Sequence, residues 1–153
     1  ALDLWQERLD LAMELGATHT INASTEDGTR VIRELTGGKG VDFAFEAIGN
    51  PDTFSQAYRS IHWGGTCVCV GLPAADAKLT FDSRLIMQER TIKGSLYGSS
   101  KPKIDLVDLV ARYPAGKLKL DQVNTGRLPI VRINGAIEDM RNAIGARSLS
   151  VFD

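Results

Sequence analysis

The sequence predicts an α/β fold, a doubly wound parallel sheet with helices on both faces. Two observations predict it. Short apolar or β-branched runs at residues 1–4, 18–21, 41–45 and 66–70 alternate with stretches whose apolar residues recur every three or four positions. Glycines punctuate the change-overs, at Gly16, Gly37-Gly38, Gly49, Gly64-Gly65 and Gly71. That alternation suits parallel strands joined by right-handed helical crossovers.

Taken in order, Ala1 to Leu4 reads as a short strand, with Asp3 near its end. From Glu7 to Leu15 the apolar residues 9, 11, 12, 13 and 15 form a helix face, stopped by Gly16. Thr18 to Ile21 is a β-branched strand. Asn22 to Asp27 is a polar turn rich in helix-capping residues. Val31, Ile32 and Leu35 mark a second helix, ended by Gly37-Gly38. Val41 to Phe45 reads as a buried strand that stops at Glu46 and turns at Gly49. Pro51 fits the first turn of a third helix, expected over about Asp52 to Ser60 and ended by Gly64-Gly65. Thr66 to Val70 is a continuous apolar strand of the kind buried on both faces, closed by Gly71-Leu72-Pro73.

Beyond Pro73 the rhythm loosens. A loop is expected to Asp82, with an extended piece at Leu79 to Phe81, then a helical turn over Ser83 to Gln88. Thr91 to Tyr97 reads as a strand ending at Gly98. Ile104 to Tyr113 has helical spacing, with Pro102 in or before its first turn. Gln122 to Leu128 is a weak extended segment. Asn134 to Ile144 is a last helix and Ser148 to Phe152 a terminal strand.

Composition excludes several classes. The 153 residues are 43% hydrophobic and 24% charged, ordinary for a globular domain with a sizeable core. A net charge of −1 gives no field to attract nucleic acid or an anionic membrane. No apolar run approaches the ~20 residues of a membrane helix, and no signal peptide is visible at the start, so cytoplasm is the expected location. The only cysteines, Cys67 and Cys69, share one side of a strand and read as core thiols, since a lone pair at this spacing is not a zinc site. His19 and His62, the only histidines, read as structural.

Several of these motifs belong together. Asp3 with Arg8, then Leu15-Gly-Ala-Thr-His-Thr-Ile-Asn22, Gly40-Val-Asp-Phe-Ala-Phe-Glu-Ala-Ile-Gly49, Gly65-Thr-Cys-Val-Cys-Val-Gly-Leu-Pro73 and Lys93-Gly-Ser-Leu-Tyr-Gly98 resemble the zinc-type, medium-chain alcohol dehydrogenases. The likeness runs in order over nearly the whole chain. It implies a Rossmann-like sheet lacking its first strand, followed by a short C-terminal segment that belongs to the catalytic domain. Residues 1–98 would be a partial NAD-binding domain and residues 99–153 the return to the catalytic domain. The family's glycine-rich pyrophosphate turn, its cysteine and histidine zinc ligands and its proton-relay hydroxyl lie upstream of the strand that carries Asp3. The chain also opens inside a strand with no Met. It is therefore expected to be a C-terminal portion, inactive alone, with roughly 200 residues before Ala1.

The candidate site residues stand at strand ends, where ligands meet an open α/β sheet. A carboxylate such as Asp3 can accept both ribose hydroxyls of adenosine and repels a 2′-phosphate, which favours NAD over NADP; alternatively it is a solvated strand end or a helix cap. Arg8 stands where the family has a basic residue beside that ribose, or is a surface charge. Ile48, Gly49 and Asn50 form the turn after the central strand, where Gly49 permits close backbone approach. The resemblance makes this turn a cofactor contact; an ordinary strand-to-helix turn needs the same glycine. Glu46 reads as a residue that holds a turn, not as a general base. In the family, main-chain groups at Val70-Gly71-Leu72 and Ser95-Leu96-Tyr97 hold the nicotinamide carboxamide. Arg147 aligns with an arginine that pairs with the pyrophosphate, with Arg141 as a rival.

The resemblance thus implies the cofactor-binding portion of a zinc-dependent, NAD-linked alcohol dehydrogenase acting on a small alcohol or aldehyde, with no nucleic-acid or membrane partner. The strand at 91–97 would pair with a symmetry mate, giving a homodimer or higher homo-oligomer. Two alternatives stay open. One is a zinc-independent quinone or enoyl reductase of the same superfamily, against which Asp3 counts because those enzymes generally use NADPH. The other is an inactive nucleotide-binding fragment.

Overall fold

The computed structural model describes residues 1–152. Their strands form three sheets, each parallel throughout. The chain packs as two compact units, Ala1–Ser24 with the chain from Pro102 onward, and Thr25–Lys101.

In the first unit, β1 (Leu2–Asp3) lies parallel to β2 (Ile21–Asn22), with Asp3 opposite Asn22. Between them runs α1 (Gln6–Glu14), whose buried residue is Leu9. The second strand falls later than the expected Thr18 to Ile21. The main chain before it is tied instead by the amino terminus, which donates to His19 O at 2.7 Å. The later part of this unit holds α5 (Pro102–Arg112), β6 (Gly126–Pro129), α6 (Ile133–Arg141) and β7 (Ser148–Val151). Strands β6 and β7 pair in parallel from Gly126–Ser148 to Pro129–Val151. The apolar spacing read along α5 does not mark a buried stripe, for no residue of that helix is buried.

In the second unit, α2 (Gly28–Leu35) starts at Asp27, whose carboxylate accepts from the Thr29 and Arg30 amides and satisfies two otherwise unpaired donors. β3 (Val41–Glu46), β4 (Ile61–Cys69) and β5 (Thr91–Gly94) form a parallel sheet in that order. The helix α3 (Pro51–Ser60) connects β3 to β4, and the short α4 (Ser83–Ile86) precedes β5. Asn50 caps α3 through Asp52 N at 2.8 Å, and Pro51 occupies the first turn.

The core here is Phe54, Tyr58, Ile61 and Cys67, flanked by Val41, Ala44, Phe81 and Leu85. Phe54 and Tyr58, one helical turn apart, stack at 6.1 Å, and Phe81 tilts against Tyr58 at 5.2 Å. Arg90 donates to the Tyr58 carbonyl at 2.6 Å and sets its guanidinium 5.7 Å from the ring centre.

Four expectations are corrected in this unit. Gly64-Gly65 does not stop α3. The helix ends at Ser60 and the strand starts at once with Ile61, while the glycines sit within β4. The pairing jumps there from Val41–Ile61 to Phe43–Thr66, so the glycines accommodate a bulge. The run Val41 to Phe45 is not a buried strand as expected: Val41 and Ala44 pack on the core, while Phe43 and Phe45 are 62% and 68% exposed. β5 ends at Gly94 rather than Tyr97, because the chain turns into a 3₁₀ segment, Leu96–Ser99, with Tyr97 at φ 50°. Leu79 to Phe81 forms no strand. Phe81 serves instead as a core contact for Tyr58.

The Phe54→Ala substitution in the intact protein should lower the unfolding free energy by about 3–5 kcal/mol, the usual result of emptying a buried aromatic site. Urea unfolding followed by tryptophan fluorescence or circular dichroism measures it.

Candidate functional site

The sheet of the second unit brings three turns to its carboxyl edge: residues 48–50 after β3, 70–72 after β4 and 95–97 after β5. The first two are locked together. The main-chain oxygen of Glu46 accepts from Val70 N at 2.7 Å and from Gly71 N at 3.0 Å. Ser95 N reaches Cys69 O at 2.9 Å, which ties the third turn to the same strand. Gly49 has φ +86°, and a Cβ there would lie 2.4 Å from Leu72 O. A Cβ on Gly71 would lie 2.1 Å from Gly49 N. Both glycines are needed because the two backbones touch.

Glu46 is the buried charged group of this edge. Its Oε1 accepts from Ile48 N and Gly49 N, each at 2.9 Å, and from Thr53 Oγ1 at 2.8 Å; Oε2 accepts from Gly49 N at 3.1 Å. Burial alone would raise its carboxyl pKa. The Thr53 hydroxyl and the amides of Ile48, Gly49 and Asn50 outweigh burial and hold it below the ordinary 4.5. With its oxygens so engaged, the carboxylate holds the turn, as its place in the sequence implied.

Outward from that lock, Ile48, Val70, Leu72 and Tyr97 are exposed, and Ser95 is half-buried with Oγ 3.4 Å from Ser99 Oγ. The structure therefore gathers Ile48, Gly49, Asn50, Val70, Gly71, Leu72 and Ser95 along one edge, with Tyr97 in the turn that leaves it.

The remaining candidates lie in the first unit. Asp3 ends β1, half-buried, and one of its oxygens accepts from Trp5 N at 3.0 Å. Arg8 is not a free surface charge. It donates to the carbonyls of Ala143 and Gly145 at 3.2 and 3.3 Å. Arg8 and the exposed Arg147 line one cleft of about 330 Å³, together with Ile137, Met140, Ile144 and Ser150. Thr125 fixes the backbone of this turn, for its Oγ1 accepts from Ala146 N at 2.9 Å and Arg147 N at 3.2 Å. Arg141, the rival, pairs with Glu138 on its own helix. Neither Thr125 nor the Ala143 carbonyl stood out in the sequence. Thr53 was legible in principle, as a hydroxyl one turn into the helix that follows a strand-end carboxylate.

Among the described residues, no group of three or more His, Cys, Asp or Glu side chains is placed to hold a metal ion. Cys67 and Cys69 are free thiols. Burial, then the neighbouring Cys69 and Glu46, push the Cys67 thiol up to about 12, and burial raises Cys69 as well. A zinc ligand must give up its proton, so this pair does not fit a zinc centre. His62 Nε2 meets Asp42 Oδ1 at 2.7 Å at the opposite end of the strands, with its other nitrogen at Trp63 O. No helix among the described residues is long and apolar enough to cross a membrane.

Parallel strands, helical crossovers and interlocked glycine turns at the carboxyl edge define a Rossmann-like α/β protein. The chain belongs to the zinc-binding dehydrogenase family, whose model matches residues 1–112. Among solved structures it is similar to benzyl alcohol dehydrogenase from Acinetobacter calcoaceticus, with 36% identity and a TM-score of 0.89 over 97% of this chain and 41% of that one. An alcohol dehydrogenase zinc-binding domain protein from Burkholderia ambifaria gives 36% identity and 0.88 over 97% and 40%. The alcohol dehydrogenase of the archaeon Aeropyrum pernix gives 27% identity and 0.84 over 99% and 42%. The chain thus spans about two fifths of the length of the structures it matches.

Two outcomes test this edge. Gly71→Ala should destabilise the intact protein by about 1–3 kcal/mol or more, because its Cβ meets main chain that cannot give way; urea unfolding reads this. A carboxylate held below its ordinary pKa stabilises the fold fully above the unfolded value. That contribution is lost as pH falls through the lowered folded value. The stability gap between wild type and Glu46→Gln should therefore be widest at neutral pH and shrink below about pH 4. Denaturant unfolding across that range measures it.

Proposed function

We propose that this chain is the cofactor-binding portion of a zinc-dependent, NAD-linked alcohol dehydrogenase. Membership of the zinc-binding dehydrogenase family and the likeness to alcohol dehydrogenases support the reaction class. The observation that carries the choice of NAD is the Asp3 carboxylate at the carboxyl end of β1. There it can accept the adenosine ribose hydroxyls with the oxygen that Trp5 leaves, and it repels a 2′-phosphate.

The other roles follow from chemistry at each position. Arg8 stiffens the turn that carries Arg147, through the Ala143 and Gly145 carbonyls. Arg147 offers a guanidinium to the pyrophosphate. Gly49 and Gly71 keep the backbone low, so that Ile48 covers the adenine-side ribose while Val70 and Leu72 present main-chain groups to the nicotinamide carboxamide. Ser95 and Tyr97 supply the third contact with the carboxamide. NAD supplies the hydride acceptor for an alcohol carbon; this chain's residues bind it and aim its ring.

Residues 1–98 would serve as the NAD-binding part and residues 99–153 as the return to the catalytic domain, a functional division distinct from the packing units. The outer edge of β5, whose four residues are all exposed, is the proposed seam of a homodimer. A cytoplasmic location accords with this reading.

Fluorescence titration of the intact protein with NADH and NADPH tests it. NADH should bind at least roughly tenfold more tightly, and Asp3→Ala should weaken NADH by a similar factor while improving relative binding of NADPH. Equal affinity for both cofactors in the wild type would defeat the assignment.

A further inference from the structure

We propose that Glu46 is a positioning residue for the bound dinucleotide: it clamps the 48–50 turn with its carboxylate and the 70–71 turn with its carbonyl, and so fixes the spacing at which both turns meet the ligand. This rests on the NAD reading above and extends it to a residue that faces inward.

The geometry makes Glu46 a hub. Its side chain accepts hydrogen bonds from Ile48 N, Gly49 N and Thr53 Oγ1. Its main-chain oxygen accepts from Val70 N and Gly71 N. One residue therefore organises four backbone amides on two separate turns. The side-chain hydrogen bonds are part-buried and each bond of the set stabilises its turn, so neither turn can relax without breaking this set. The contact between Gly49 and Gly71 leaves no slack, since a Cβ at either would strike the other turn. A shift of the first turn must therefore carry the second with it.

Glu46 does not act as a general base. It is buried, and Ile48, Gly49 and Thr53 occupy its oxygens. Glutamine cannot replace it. An amide has one acceptor oxygen, and its NH₂ group would face either the Gly49 N–H or the Ile48 and Thr53 donors. The clamp should loosen while Phe54 and Tyr58, below it in the core, keep their packing.

The test uses the intact protein with Glu46→Gln, Thr53→Val and Thr53→Ser. Amide hydrogen exchange is read at Ile48, Gly49, Val70 and Gly71, and NADH affinity by titration. In Glu46→Gln, exchange at Ile48 and Gly49 should quicken roughly tenfold or more, and NADH should bind roughly tenfold or more weakly, with exchange in the Phe54–Tyr58 turn quickened less, by no more than the loss of global stability. Thr53→Val should move both readouts in the same direction by less, and Thr53→Ser should restore them. Should Glu46→Gln fail to fold, the Thr53 pair decides by the same criteria. Faster exchange with unaltered NADH affinity would overturn the positioning role, and unchanged exchange would overturn the clamp itself. A wild type that binds no NADH, with exchange still quickened by Glu46→Gln, would sink the NAD reading and leave the clamp standing.

Discussion

The register of β3 on β4 is the constraint on which the carboxyl edge depends. Beyond the glycine bulge the strands run in step from Phe43–Thr66 to Glu46–Cys69. That register puts the Glu46 carbonyl within reach of the Val70 and Gly71 amides. A slip by one residue would send Glu46 outward and a phenylalanine into its place. The packing of α3 defends the register, because Phe54 and Tyr58 sit against Ile61 and Cys67 on one side of the pair. Sheet, helix and turn are thus one mechanical piece, held by apolar contact below and a buried carboxylate above.

Much of this was legible from residue order. Pro51 announced the start of α3, and the capping-rich turn Asn22 to Asp27 that of α2, since helix-start chemistry is local. The glycine turns after β3 and β4 were equally clear. What misled was glycine used for another purpose. Gly64-Gly65 carries the signature of a helix stop, yet it relieves crowding inside a strand, where a Cβ on Gly65 would approach Ile61 Cβ to 2.9 Å. Nothing local separates those two uses. The apolar spacing of α5 was read correctly as helical, but spacing cannot say whether a face finds cover.

The candidate site divides in the same way. Roles set by a strand end, as for Asp3, Gly49 and Gly71, follow from counting residues along the chain. Roles set by distant partners do not. Arg8 reaches the Ala143 carbonyl 135 positions away, and Thr125 holds Arg147 across 22. Each of those residues is an ordinary arginine or threonine in its own neighbourhood. Only folding gives them a common address.

The Cys67 sulfur has a further consequence. It sits at 0% exposure beneath α3, with a thiol pushed up to about 12. The thiolate is the nucleophile that attacks alkylating and oxidising reagents, so this buried atom reacts with them only when the helix lifts away from the strand. The rate at which a maleimide or iodoacetamide finds Cys67 is then a count of those liftings. The second unit carries in its core a native gauge of its own breathing, needing no introduced cysteine.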